Sequence, residues 1–405
     1  MDDAMQRLGV REWLAAGHAI ARHDLRRNTG RGQFCARFEK RLAQMTGARR
    51  VLTINSGTSA LTCALAALGV GPGDEVLVPA YTWMSSAAAP LHVGAVPVFV
   101  DIDETLTMDP NDIERKITPH TRAILPVHMI NRPCDMDRIL GIARRHKLFV
   151  VEDACQAVGV RYHDKYCGAI GDAGAFSFNQ QKNMTIGEGG AVLLNDEKAY
   201  ARAYNYHDIG VAFRNMSLPD TGGVFVGMNL RSNELQGAML NAQLNRLPGR
   251  IEKMRRRYEV VREALEKGGY SIAPHNDPSN GVALAVTFET EVEAVEFSKH
   301  QLALRLYDDS KHVYTNWDAI LEKRTFHPKM NPWAWAKREI EYSADMCEKT
   351  LDILKRSCRV ALGERYPVPV VKYFAQKFRT RKPREEYVEP VLASPRPTNK
   401  PARAA

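Results

Sequence analysis

Three short segments carry residue types that could do chemistry together. Lys182 follows the aromatic run FSFN and precedes the turn GEGG (187–190). A lysine so placed can form a Schiff base with a carbonyl, given a short reach and surroundings that favour the neutral amine. The alternative is a plain loop lysine. Asp153, in EDACQA (152–157), ends a hydrophobic run. A carboxylate there can keep a pyridine nitrogen protonated, which makes the ring an electron sink, or it can simply cap a following helix. INSGTSALTCAL (54–65) places Gly, Ser and Thr directly before a helical pattern. Backbone N–H groups and hydroxyls at such a start could cradle a phosphate, or merely begin a capped helix. Together with the aromatic Trp83, the three segments supply every part that a pyridoxal 5′-phosphate (PLP) site requires.

These residues need elements that hold them. Residues 49–180 alternate short β-branched runs with helical patterns, which predicts βαβ units around a mostly parallel sheet. The spacing predicts a helix over 59–70, a strand over 75–80, a helix near 84–93 and a strand over 96–102. A helix near 109–117, a strand over 123–129 and a helix near 135–146 follow. The apolar strand KLFVVEDA (147–154) then carries Asp153 at its carboxyl end, where open α/β sheets bind ligands. Strands over 173–179 and 189–195 flank the Lys182 loop. A charged helical stretch from about 233 to 267 is expected to break at Pro248-Gly249 and to bridge to a second domain.

With 405 residues the chain is long enough for one large and one smaller domain. A hydrophobic content of 44% and a charged content of 25% are those of an ordinary folded protein. The net charge is +9, but nine Lys/Arg and only three acids lie from Lys372 onward. The body is therefore nearly neutral, and the excess belongs to a Pro-rich stretch expected to be a flexible tail, not a nucleic-acid site. The seven cysteines form no CxxC pair and no Cys/His cluster, so they are read as reduced buried thiols and no metal is expected. The amino terminus lacks the basic region of a signal peptide, and no apolar run approaches a membrane span. A cytoplasmic location without membrane contact is the expectation.

From RFEKRLAQMTGAR (37–49) through NSGTSAL, GVGPGDEVLVPAYTW, GAVPVFVDID, PHTRAILPVHM, VVEDACQAVG, GAIGDAGAFSF, KNMTIGEGGAV and GMNLRSNELQGAMLNAQL (227–244), the chain resembles the DegT/DnrJ/StrS family of PLP-dependent aminotransferases. The resemblance is close over about 35–260. It implies a fold type I architecture, with a large PLP-binding domain over 1–245, a smaller α+β domain over 246–375 and the tail over 376–405. It further implies that Lys182 carries the Schiff base, that Asp153 pairs with the pyridinium nitrogen and that Gln156 lies near the phenolic oxygen. Trp83 would stack on the ring, and Gly57, Thr58 and Ser177 would hold the phosphate. Asn229 would reach the phosphate of a neighbouring subunit, which implies a homodimer with shared sites. Arg231 is read as a fold-stabilising ion pair.

The implied reaction moves an amino group from glutamate or glutamine to a keto sugar, nucleotide-linked or not, or a cyclitol ketone. A dehydratase branch with histidine at the lysine position is disfavoured by Lys182, whereas a branch making amino-hydroxybenzoates on the same scaffold stays open, and a regulator without chemistry is disfavoured. The family's Arg-x-His-Gly element appears here as YNYHDIG, where His207 matches and Asp208 replaces the glycine. Trp317, Trp333 and Trp335 could stack on a sugar or form core. Lys311, Arg324 and Lys329 are available for an acceptor's phosphates.

Overall fold

The computed structural model describes residues 8–23, 25–26, 33–210, 224–362 and 366–379. Two helices, α1 (Val10–Ala21) and α2 (Phe34–Thr46), lead into alternating strands and helices: β1 (Arg50–Ile54), α3 (Gly57–Ala67), β2 (Glu75–Pro79), α4 (Ser85–His92), β3 (Val96–Val100), α5 (Pro110–Lys116), β4 (Thr121–Ile124), α6 (Met136–His146) and β5 (Phe149–Asp153). A small hairpin, β6 (Arg161–Tyr162) with β7 (Lys165–Tyr166), precedes β8 (Ala173–Ser177), β9 (Gly190–Leu194) and α7 (Glu197–His207). The chain continues as α8 (Glu234–Lys267), β10 (Leu284–Thr287), α9 (Glu291–Ser298), β11 (Ala303–Arg305), α10 (Asp318–Leu321), α11 (Glu348–Lys355), β12 (Ser357–Val360) and α12 (Val368–Gln376).

The large sheet has the order β1-β9-β8-β5-β4-β2-β3. Pairing is parallel from β3 across to β8, and β9 runs antiparallel between β8 and β1. Its strands are buried on both faces, even β3 at the edge, so they read as continuous apolar runs such as EVLVP and VPVFV. The helices show why they form where they do. In α6, Asp135 accepts from the Arg138 amide at 3.1 Å, three basic residues close the last turn, and Met136, Ile139, Ile142 and Ala143 make the buried stripe.

Two expectations are corrected. The strand expected over 123–129 stops at Ile124, and Met129–Asn131 turns away with Ile130 and Asn131 at φ of +47° and +62°. The helix expected to break at Pro248 does not: α8 is one element of 34 residues. A proline inside a helix costs about 3 kcal/mol. That cost is outweighed because the buried stripe runs through it, with Leu240, Leu244 and Leu247 before the proline and Met254, Val261 and Leu265 after it. Capping of Asn233 and Gln236 fixes its start.

A second sheet, antiparallel in the order β10-β12-β11, follows α8. Its core, with Val261, Leu284, Phe297 and Cys358, includes Phe378, so the described fold runs past the expected boundary at residue 375. The stretch between β11 and α11 instead packs on the large sheet's core through Tyr314 and Trp317. Residues 380–405, which hold most of the expected tail, lie outside the described residues. Every one of the seven cysteines is a free thiol.

The buried Glu152 pins β5 in place. Its carboxylate accepts from the amides of Gly168, Ile170 and Gly171 at 2.6–2.7 Å and meets His128 Nε2 at 2.9 Å. Glu152→Ala strands two buried N–H groups and a part-buried one, so it should lower stability by about 3 kcal/mol in urea denaturation. Glu197→Ala, which removes an exposed pairing with Arg49 and Arg50, should cost under about 1 kcal/mol. Equal losses would contradict this account of β5.

Candidate active site

The carboxyl ends of β5 and β8 and the amino end of α3 border a cavity of about 710 Å³, closed on its far side by β10, β12 and the segment carrying His312. Gly57, Thr58, Trp83, Asp153, Gln156, Ser177 and Lys182 all line it. Of the residues singled out from the sequence, Asn229 does not. It lies on the exposed strand-like segment bridged to Asp208.

Asp153 is 5% exposed. Ser86 Oγ donates to its Oδ2 at 2.6 Å, and Thr82 Oγ1 lies 2.7 Å from the same serine hydroxyl. The Cys155 amide donates to Oδ1 at 3.0 Å. Residues 154–160 form turns and not a helix, so the carboxylate is not a helix cap. Among the described residues it has no cationic partner, and a buried carboxylate lacking one calls for a positive group from a ligand. Burial, with Asp153 beside it, pushes the Cys155 thiol well up, so that group is neutral.

The wall around Gly57 is built by close approach. Ser56 caps α3 by accepting from the Ser59 amide at 3.1 Å. A Cβ on Gly57 would come within 2.8 Å of Ser177 Cβ and 2.9 Å of Cys155 Sγ. A Cβ on Gly190 would meet the Ser56 carbonyl at 2.4 Å, which explains the glycine at the end of the GEGG turn. The amino end of α3, with Thr58 and Ser177, lines one wall of the cavity, where helix amides and hydroxyls can hold an anion.

Lys182 sits in a turn closed by its own amide donating to the Asn179 carbonyl at 3.0 Å. The loop is fixed by the buried Met184 and Thr185, and by Asn179 donating to Glu188 at 2.8 Å. Gln156 is held from two sides. The Ile130 amide donates to its Oε1 at 3.0 Å, and His312 Nε2 lies 3.4 Å from its Nε2. The positive φ of Ile130 is rare for a β-branched residue, and strain of this kind collects at functional sites. His312 in turn contacts Asp309 at 2.9 Å and meets the Trp83 ring edge-on at 5.8 Å.

His312, Asp309 and Arg359 were not singled out from sequence as site residues. The one local signal was Lys311, which does line the cavity. The three tryptophans do not. Trp317 is core, Trp333 donates to the Tyr342 hydroxyl at 3.1 Å, and Trp335 borders a different cavity together with Arg324. His207 is fully buried against Tyr204, and Arg231 pairs with Asp208. The aspartate that replaces the family's glycine therefore has a partner. Part of the segment 205–226 falls on residues 211–223, outside the described ones.

A mostly parallel sheet flanked by helices, with a smaller sheet following it, is the α/β architecture of the fold type I class. Residues 18–351 match the DegT/DnrJ/EryC1/StrS aminotransferase family, and the chain belongs to it. It is 40% identical to the GDP-perosamine synthase of Caulobacter vibrioides over 247 residues, which is 60% of this chain and 65% of that protein. It is also 40% identical over 332 residues to a putative L-glutamine:3-amino-2,3-dideoxy-scyllo-inosose aminotransferase of Micromonospora echinospora, covering 76% and 77% of the two chains. The chain thus spans under two thirds of the length of the first of these relatives. The solved structure of 3-amino-5-hydroxybenzoic acid synthase superposes with a TM-score of 0.78 at 27% identity, over 93% of this chain and 97% of that one. An aminotransferase from Psychrobacter cryohalolentis gives 0.74 at 26%, over 92% and 96%. Family and donor set together identify PLP as the cofactor, and the cradle, the unpaired Asp153 and Lys182 fit it.

The Gly57 contacts generate a direct test. Gly57→Ala should weaken PLP binding by about tenfold or more in equilibrium dialysis, beyond the overpacking cost of about 1–3 kcal/mol that the same Cβ imposes on the cofactor-free chain. Unchanged PLP affinity would remove Gly57 from the cradle.

Proposed function

We propose that this protein is a PLP-dependent aminotransferase that moves an amino group from glutamate or glutamine to the carbonyl of a keto sugar or cyclitol. The observation that carries the reading is the buried carboxylate of Asp153, without a cationic partner among the described residues, in the cavity that Lys182 enters. PLP, when bound, supplies an electron sink for charge developing at the donor's α-carbon. Asp153 would hold a proton on the ring nitrogen, and the Ser86 and Cys155 bonds would keep its carboxylate aimed. Gln156 would direct an amide N–H toward the ring oxygen, and Trp83 would cover one ring face. Gly57, Thr58 and Ser177 would anchor the phosphate. The amine of Lys182, displaced by the donor, would carry the proton away from the donor's α-carbon as general base and return one to the acceptor's carbon. Release of the keto acid before the acceptor enters makes the kinetics ping-pong.

The acceptor class rests on the relatives, whose names cover a nucleotide-linked amino sugar and an amino-deoxy-inosose. The likeness to 3-amino-5-hydroxybenzoic acid synthase keeps an aromatising dehydration as the second reading. A homodimer is part of the proposal. Beside Asn229, Val226 and Met228 are exposed, and a second, largely apolar cavity of about 950 Å³ is lined by Met84, Tyr206, Phe225 and Phe326. Thr58 and Ser59 border that cavity as well, so a partner subunit seated there would bring its own Asn229 to the phosphate cradle. No described helix is long and apolar enough to cross a membrane, and action in the cytoplasm is the matching proposal.

The test is amination of keto-sugar nucleotides and inososes with glutamate or glutamine. We expect one acceptor to be converted with stoichiometric keto acid, and Lys182→Ala to slow turnover by about 10²–10⁴-fold or more. A PLP-loaded protein that aminates no member of the panel and instead eliminates water from one would favour the second reading.

A further inference from the structure

The wall opposite the phosphate cradle holds a charge imbalance of the other sign. Arg359 lies in the middle of β12, between Cys358 and Val360, which point into the small sheet's core. By the two-residue alternation of a strand, its side chain leaves on the other face, where it lines the cavity. Its cross-strand neighbours are Ala285 and Leu304, neither of which can pair with it.

The other arginines around it are engaged. Arg356 holds Asp352 and the Phe288 carbonyl, Arg305 holds Asp308 and Glu291, and the fully buried Arg132 donates to the carbonyls of Thr105 and Ala273. The side chain of Arg359 makes no hydrogen bond or ion pair among the described residues, and its Nε is buried without a partner. An acid that feels it is Asp309, already in contact with His312 at 2.9 Å. Burial acts to raise the Asp309 carboxyl, but the His312 contact and the cations Arg359 and Lys311 hold it below its usual range. It therefore stays an anion committed to the imidazole. A half-buried guanidinium without a counter-ion is costly to hold, and its planar fork matches a carboxylate or phosphate.

We propose that Arg359 is the seat for an oxyanion of the substrate, assisted by Lys311 on the same rim. This deepens the aminotransferase reading and rests on it for the identity of the substrate. Two sources share the chemistry, the carboxylate of the amino donor and the diphosphate of a nucleotide-linked acceptor. The cofactor's own phosphate is assigned to the α3 wall and leaves Arg359 open.

The test titrates the full-length protein with two non-reacting probes, glutarate and uridine diphosphate, by calorimetry. Arg359→Met should weaken one of them by tenfold or more, while PLP absorbance and melting temperature stay at the parent's values, and Arg359→Lys should recover part of the loss. Loss of glutarate assigns the seat to the donor, and loss of uridine diphosphate assigns it to the acceptor. Leu304→Glu offers a second route that keeps the arginine. A carboxylate opposite Arg359 in the strand pairing should neutralise it and weaken the same probe. Parent-like affinity for both probes in the two variants overturns the proposal, as does a parent chain that binds neither. A parent chain that takes up no PLP sinks the aminotransferase reading alone, because the same titrations read Arg359 without the cofactor.

Discussion

A carboxylate buried at the end of a strand, with no cationic partner among the described residues, is the constraint on which the rest of this structure depends. Asp153 can be tolerated there because Ser86, itself held by Thr82, and the Cys155 amide satisfy part of its hydrogen-bonding capacity. They are neutral donors, so they orient the charge without cancelling it. The preceding residue, Glu152, faces the other way and is saturated by three amides and His128. One acid thereby locks the strand, and its neighbour is left to a ligand. Strand alternation is what lets adjacent carboxylates take such different parts.

The cavity has a matching asymmetry from wall to wall. Among the described residues, Asp153 on the large-sheet side forms no ion pair, and neither does Arg359 on the small-sheet side, whose Nε is buried without a hydrogen bond. Between them stand Lys182 and the pair Asp309 and His312, which reach Gln156 and Trp83 from the far end of the chain. The Thr82 amide donates to the His312 carbonyl at 3.0 Å and Tyr314 donates to the Ala80 carbonyl at 3.2 Å, so the two halves are stitched at the mouth of the site. In the proposed reading, a cofactor requiring one protonated ring nitrogen, one anchored phosphate and one amine would find each need met by a different element.

Legibility in the sequence followed distance along the chain. The parallel strands and the Lys182 loop were readable because each is a local pattern, an apolar run or a turn between two runs. Asp153 was readable because a strand's carboxyl end is itself a local feature. His312 and Arg359 were not, since only the fold carries them from the second sheet to the first, and nothing in KHVY or SCRV marks them. Pro248 misled in the opposite sense. Local chemistry asks for a break, and packing on both sides of it overrides that demand. Trp317 and Trp333 stood out as possible sugar platforms, yet core packing claims them.

The central claim is that Lys182 is the residue that PLP modifies. The most direct measurement is borohydride reduction of the PLP-loaded chain followed by peptide mapping of the reduced label. The account predicts bleaching of the yellow chromophore and a single phosphopyridoxyl group on the peptide containing Lys182. A chromophore that borohydride leaves unchanged, or a label on another lysine with Lys182 unmodified, would contradict it.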